Sequence, residues 1–391
     1  MRSKELKKRW ESAMQSTYAT PDLLISSAKG SRLKDSAGME YLDLLGGIAT
    51  NALGHNHPKI VSAVTKQMKR FSHLSNIYGH KPGIELAEKL IKMIGDDSAR
   101  VYFCNSGTEA VEAAIKLSRL TGRKEIISAK GSFHGRTMGA LSLTAQPSKQ
   151  RPFLPLLPKV KHVEYGDLKS LRRKISKRTA MVILEPIMGE AGVVVPPSGY
   201  LKAVRQLCDK FGVLLAFDCV QTGMGRTGTW FGYEDDGIKP DLITIAKGIG
   251  GGLPLGAMIS IGVDKNLFLP GSHGSTFGGN PIACAAANAV ITEISRKNYL
   301  ISNRKKGEFF IESLKKLNGV KEARGKGLLI GIELYKPQAK IIAKRLEKLG
   351  YLVNAVNENV LRLAPSYLIT DSEIKKFVQA LKLVLEGVDN D

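Results

Sequence analysis

Acidic residues are in short supply in this chain: 36 Asp and Glu stand against 58 Lys and Arg over 391 residues, a formal net charge of +22. Cysteine is scarcer still. Cys104, Cys208, Cys219 and Cys284 show no CxxC or CxxH spacing, which excludes a zinc ribbon or a disulfide framework and predicts a reducing compartment, the cytoplasm. The seven histidines form no ligand-spaced cluster, so no metal is expected. No run of 18 apolar residues occurs, and no apolar segment follows the basic start "MRSKELKKRWESAMQS", so neither export nor membrane insertion is expected. Aromatics amount to 6 %, and the lysines are spread over helix-like faces such as "LAEKLIKMI" and "LKSLRRKISKR". A nucleic-acid surface would concentrate them in a stripe with interleaved aromatics. The excess charge therefore reads as a solvated surface that attracts small anions. A basic nucleic-acid-binding protein on the same fold is the alternative that the charge leaves open. No GxxxxGK[ST] is present, which excludes a P-loop nucleotide site.

What is there is alternation. Short apolar or β-branched runs, "RVYFCN", "EIISAK", "AMVILEPI", "VLLAFD", "DLITIAK" and "GAMISIG", are separated by amphipathic stretches that include helices over 107–120 and 198–211. Repeated β then α predicts an α/β layer with a mainly parallel central sheet, the large domain, over 49–285. After "GGNPIACAAANAVITEI" the composition shifts. Lysine-rich helices surround the strand-like "GLLIGIEL" and "GYLVNAVNENVLRLAP", predicting a smaller α+β domain over 286–391. Its last helix starts at "TDSE", where Thr370 and Glu373 form a capping box. The first 48 residues hold a strand pair around "GSRLKDSAGMEYLDLLGG" and are expected to pack with this small domain.

In open α/β sheets ligands bind beyond the carboxyl ends of the strands. The polar stretches in that position are "NSGTEA" (105–110), "EPIMGEAG" (185–192), "DCVQTG" (218–223) and "AKGIGGG" (246–252). Ser106 and Gly107 open a strong helix, whose first N–H groups make an anion site suited to a phosphate. Lys247 follows "LITIA" and enters a glycine-rich turn, which sets a primary amine at the mouth of the sheet; such an amine, desolvated, can form a Schiff base with an aldehyde. Asp218 ends its own apolar run. Singly, these are a helix cap, a solvated loop lysine and a turn acid. Together they are what pyridoxal phosphate requires: a lysine for the aldehyde, a helix start for the phosphate, and an acid that keeps the ring nitrogen protonated.

These motifs, with "STYATPDLLISSAKGSRLKDSAGMEYLDLLGGIATNALGHNHP", "GSFHGRTMGALS", "GLPLGA", "HGSTFGGNP" and "LRLAP", run in an order that resembles the class III (subgroup II) pyridoxal-phosphate aminotransferases of fold type I across nearly the whole chain. The resemblance implies Lys247 as Schiff-base lysine and general base, with Asp218 on the pyridine nitrogen. Gly107 and Thr108 are implied at the phosphate, Phe133 and Val220 on the two ring faces, and Gln221 near the ring hydroxyl. It implies a homodimer with shared sites, Ser275 and Thr276 crossing the interface and Thr276 reaching the partner's phosphate. It implies Arg136 for the carboxylate of the amino donor and Arg362 for the α-carboxylate of 2-oxoglutarate, with Glu190 pairing Arg362 when the other substrate is bound. Tyr18 is a further candidate at the substrate mouth. The substrates implied are N2-acetyl-L-ornithine, giving its δ-amine, and 2-oxoglutarate. Free ornithine, succinyl-diaminopimelate or 4-aminobutyrate are alternative donors.

Two positions depart from the family pattern: Cys219 stands where Glu is common, and Met188 where Gln is common. Neither is assigned chemistry. A nucleophilic Cys219 would need a base partner, and His134 belongs to the "FHGR" turn.

Overall fold

The computed structural model describes residues 3–263 and 267–389. Near the N-terminus β1 (Ile25–Lys29), β2 (Arg32–Asp35) and β3 (Glu40–Asp43) form an antiparallel meander. The central sheet comprises β4 (Arg100–Cys104), β5 (Glu125–Ala129), β6 (Val160–Val163), β7 (Thr179–Leu184), β8 (Leu214–Asp218), β9 (Leu242–Ile245) and β10 (Gly256–Ser260). Its order is β4-β10-β9-β8-β7-β5-β6. β10 is antiparallel to both neighbours, and the remaining pairs are parallel. The sheet is thus mainly parallel, as expected. The edge strand β6, "VKHV", is absent from the sequence reading, because four residues with two polar ones give no apolar run.

The strands are apolar because both faces are covered. Side chains alternate across the pleat, and the core divides accordingly. Ile126, Met181, Ile183, Ala216 and Leu242 enter one apolar cluster, while Ile127, Val182, Leu184, Leu215, Phe217, Ile243 and Ile245 enter another. Helix α1 (Gly107–Arg119) contributes Ala110, Val111, Ala114 and Leu117 to the first. Helix α2 (Tyr200–Phe211) contributes Leu201, Val204 and Leu207 to the second and ends on the left-handed Gly212. Each buried Leu or Val contributes about 2 kcal/mol of transfer free energy, so the two covered faces dominate the stability of this layer.

The C-terminal strands are β11 (Val320–Lys326), β12 (Leu329–Leu334), β13 (Tyr351–Leu352), β14 (Asn354–Ala355) and β15 (Val360–Leu363). Four of these pair in the order β11-β12-β15-β14, all antiparallel, while β13 leaves them and pairs with β3 in parallel, Tyr351 beside Leu42. Leu42 and Leu44 join the apolar cluster of this sheet and of the last helix, α3 (Asp371–Asp389). The start of α3 is a capping box: Glu373 N donates to Thr370 Oγ1 at 3.2 Å and Thr370 N to Glu373 Oε2 at 3.0 Å.

Two reversals through β10 make β4 run parallel to β9. The carboxyl ends of β4, β5, β7, β8 and β9 therefore share one edge, and the motifs that follow them meet there.

Candidate active site

At that edge lies a cavity of about 470 Å³ whose wall includes Gly107, Thr108, Phe133, Arg136, Glu190, Asp218, Val220, Gln221 and Lys247. β4 delivers the helix start. Ser106 is extended, at φ −154° and ψ 164°, and its Oγ accepts from Glu109 N at 3.3 Å. The N–H groups of Gly107 and Thr108, the first two of α1, have no acceptor among the described residues. A Cβ on Gly107 would lie 2.8 Å from a Val220 methyl, so glycine is what lets the backbone approach that closely. Thr108 Oγ1 is 2.8 Å from Thr137 Oγ1.

β8 delivers Asp218, which is 4 % exposed. One carboxylate oxygen is 2.7 Å from His134 Nδ1, and the other accepts from Val220 N at 3.1 Å. His134 Nε2 is buried without a partner. β9 delivers Lys247, through a turn in which Lys247 takes φ 50°. That left-handed conformation is uncommon for a side-chain-bearing residue, and such outliers collect at functional sites. No hydrogen bond or salt bridge engages the Lys247 amine among the described residues. Burial pushes its pKa below the ordinary lysine value; Glu190 opposes this, Arg362 adds to it, and Asp218 and Glu185 oppose it.

β7 delivers Glu185 and the loop bearing Glu190. Glu185 is 6 % exposed; it accepts from Phe133 N at 2.9 Å and Gly189 N at 3.2 Å, tying the Phe133 turn to that loop. Burial pushes its carboxyl up to about 7, with His134 opposing and Asp218 adding. Glu190 pairs with Arg362, which is 2 % exposed and also donates to Asn354 Oδ1 at 2.9 Å and Gln221 Oε1 at 3.3 Å. Burial would raise the Glu190 carboxyl, but the Arg362 guanidinium holds it below the usual range. Arg136 is exposed at the rim, its guanidinium 5.5 Å from the Phe133 ring centroid, and makes no salt bridge among the described residues.

Lys247, Asp218, Gly107, Thr108, Phe133, Val220, Gln221, Arg136, Glu190 and Arg362 are therefore brought together. Gln221 turns its oxygen toward Arg362, because Gly189 leaves room for it: a Cβ there would sit 1.4 Å from that oxygen. Tyr18 is 80 % exposed and does not line the cavity. Ser275 accepts from Asn105 Nδ2 at 2.9 Å beside the helix start, whereas Thr276 is exposed and outside the lining. Cys219 is 1 % exposed, with burial pushing its thiol pKa well up, and Met188 is buried in the core. The sequence reading missed His134 and Glu185, both polar residues just past a strand end, and Asn354, which no local signal marks.

An amine without a partner, unpaired helix-start N–H groups, a glycine with no room for a Cβ and a buried acid, all on one cavity, fit an aldehyde-bearing phosphorylated pyridine.

Comparison with known proteins agrees. Residues 13–385 match the family aminotransferase class-III. The acetylornithine aminotransferase of Mycolicibacterium smegmatis is 50 % identical over 388 residues, 99 % of this chain and 99 % of the relative. Among solved structures, the ornithine aminotransferase of Toxoplasma gondii, with PLP partly occupying its active site, gives a TM-score of 0.94 at 29 % identity, covering 100 % of this chain and 96 % of that one. The acetylornithine aminotransferase of Elizabethkingia anophelis gives 0.87 at 29 % identity, covering 99 % of this chain and 100 % of that one.

Proposed function

The chain belongs to the class-III aminotransferase family, and from that premise we propose that it moves the δ-amino group of N2-acetyl-L-ornithine to 2-oxoglutarate. The products are N-acetyl-L-glutamate 5-semialdehyde and L-glutamate, in arginine biosynthesis. It is a pyridoxal-phosphate-dependent transaminase. Half the sequence shared with an acetylornithine aminotransferase over its full length supports the donor. The observation that carries the mechanism is one buried arginine, Arg362, masked by Glu190 of the cavity wall, while the arginine of that wall, Arg136, has no such partner.

Bound in the cavity, pyridoxal phosphate supplies an aldehyde that condenses with amines and a protonated ring that draws electrons from the carbon losing its proton. The unpaired N–H groups of Gly107 and Thr108 would hold its phosphate at the start of α1. Asp218, oriented by His134, would pair with the ring nitrogen and favour its protonated form. Phe133 and Val220, both on the cavity wall, would hold the ring between them. Lys247, its amine shifted toward the neutral form, takes the proton from the substrate carbon and returns it.

Arg136 grips the carboxylate of the donor, and Glu190 neutralises Arg362 so that no second carboxylate is demanded. When 2-oxoglutarate enters, its α-carboxylate takes the bidentate guanidinium of Arg362 and Glu190 withdraws. The enzyme works as a cytoplasmic homodimer, with Ser275 and Thr276 of each subunit completing the site of the other.

A panel of single half-reactions, read from the cofactor absorbance, tests the donor. N2-acetylornithine should discharge the cofactor with a higher rate per concentration than ornithine, succinyl-diaminopimelate or 4-aminobutyrate. A faster rate with any of those three replaces the proposed donor by that one.

A further inference from the structure

The Glu190–Arg362 pair is built on two different sheets, so something must fix one against the other. Arg362 lies in β15. Its cross-strand neighbours are Gly331 of β12 and Asn354 of β14, and Gly331 is in turn opposite Arg324 of β11. One row across the C-terminal sheet thus reads Arg324, Gly331, Arg362, Asn354. Directly opposed residues present their side chains to the same face, so two arginines flank a position that has no side chain.

The loop carrying Glu190 lies in that gap. A Cβ on Gly331 would come 2.9 Å from Gly192 O and 2.9 Å from Val193 Cβ. Arg324 grips the loop by its carbonyls: Nη2 donates to Gly192 O at 2.9 Å, and Nε donates to Gly192 O at 3.2 Å and Val193 O at 3.1 Å. Its remaining nitrogen, Nη1, is held by Glu322 at 2.6 Å and by Glu333. An isolated apolar contact of buried Ile187, Val193 and Leu329 closes the same joint. Val193 takes φ 55°, a conformation costly for a β-branched residue that only surrounding contacts can impose.

We propose that Arg324 is a positioning residue for the carboxylate switch. It clamps the foot of the Glu190 loop into the Gly331 gap, so that Glu190 masks Arg362 in the absence of a dicarboxylate and only its side chain need move when one binds. Arg324 touches neither substrate nor cofactor. It sets how strongly a competing dicarboxylate must pull to displace Glu190, and hence how well the enzyme separates a monocarboxylate donor from glutamate-like molecules. This rests on the Glu190–Arg362 exchange proposed above. A lysine could keep the charge beside Glu322 and Glu333 but not the fork that spans two carbonyls.

The test is equilibrium binding of glutarate, an unreactive dicarboxylate, to the holoenzyme by calorimetry, with a melting temperature for each protein. Arg362→Ala is the control: unchanged glutarate binding there would refute the underlying reading that Arg362 is the dicarboxylate handle, whatever Arg324 does. Arg324→Lys should tighten glutarate about tenfold, because Glu190 competes less well. In the Glu190→Gln background the same substitution should change it less than about twofold. Gly331→Ala, which pushes the loop out of the gap without touching any charge, should act in the same direction. The proposal is overturned if Arg324→Lys leaves the glutarate affinity unchanged, or shifts it equally with and without Glu190.

Discussion

Glu190 faces two cations, and that double duty makes a sharp prediction at the level of single residues. It pairs with Arg362, and it is the strongest group holding a proton on Lys247 against the effect of burial. Removing its charge in Glu190→Gln leaves Lys247 with burial and Arg362 less opposed, so the ammonium is disfavoured and its pKa falls further. In the cofactor-free protein, acylation of Lys247 should therefore reach half its maximal rate at lower pH in the variant than in the parent. Linkage gives the same sign a second way. A lysine whose folded pKa lies below the unfolded one binds fewer protons in the native state, so stability rises with pH between the two values. That rise should begin at lower pH in Glu190→Gln, as followed by denaturant midpoints; an onset at higher pH would mean that Glu190 is not the dominant opposing charge. The two chemical residues behind this prediction, Lys247 and Asp218, were legible because each ends an apolar run. The partnerships of His134 and Glu185 were not. Their importance depends on a 2.7 Å contact between residues 84 positions apart and on a carboxylate shared by two loops, which no local pattern encodes.

Elements carry the next layer. Strand–helix alternation revealed the central sheet because its strands are buried on both faces, so that each reads as an unbroken apolar run. The same logic explains the loss of β6, an edge strand with polar residues, and of the row Arg324, Gly331, Arg362, Asn354, which exists only once register is fixed. The start of α1 is the element on which cofactor binding turns. In Gly107→Ala the added methyl would meet Val220 at 2.8 Å, in a position where alanine is otherwise a good helix former. The substitution should weaken pyridoxal phosphate by about tenfold, or ~1.4 kcal/mol, in a fluorescence titration. The melting temperature of the cofactor-free protein should fall as well, because Val220 must shift to admit the methyl. A drop in that melting temperature with unchanged cofactor affinity would mean that the methyl disturbs packing rather than the phosphate cradle.

At the scale of the whole molecule, the chain supplies nearly everything on one cavity except a use for its own Thr276. That residue is exposed, as is its neighbour Phe277, while Ser275, one position earlier, holds the strand end through Asn105. An exposed residue outside the wall of its own site, next to one anchored at that site's rim, fits the shared site proposed above, in which a two-fold dimer would make each subunit's loop the other's wall. The arrangement can be separated from a self-sufficient subunit by mixing two disabled proteins. Lys247→Ala removes the general base from its own site. Thr276→Glu sets a negative charge where the partner's phosphate would lie. After co-refolding in equal amounts, half the dimers are mixed, and each contains one site with both Lys247 and Thr276 intact, so activity should recover to about a quarter of the unmodified enzyme. If the residues serve their own subunit, the mixed dimer pairs one site lacking Lys247 with one lacking Thr276, and activity stays at the average of the two parents. The recovered fraction therefore reports directly whether the cavity is complete within one chain or only across two.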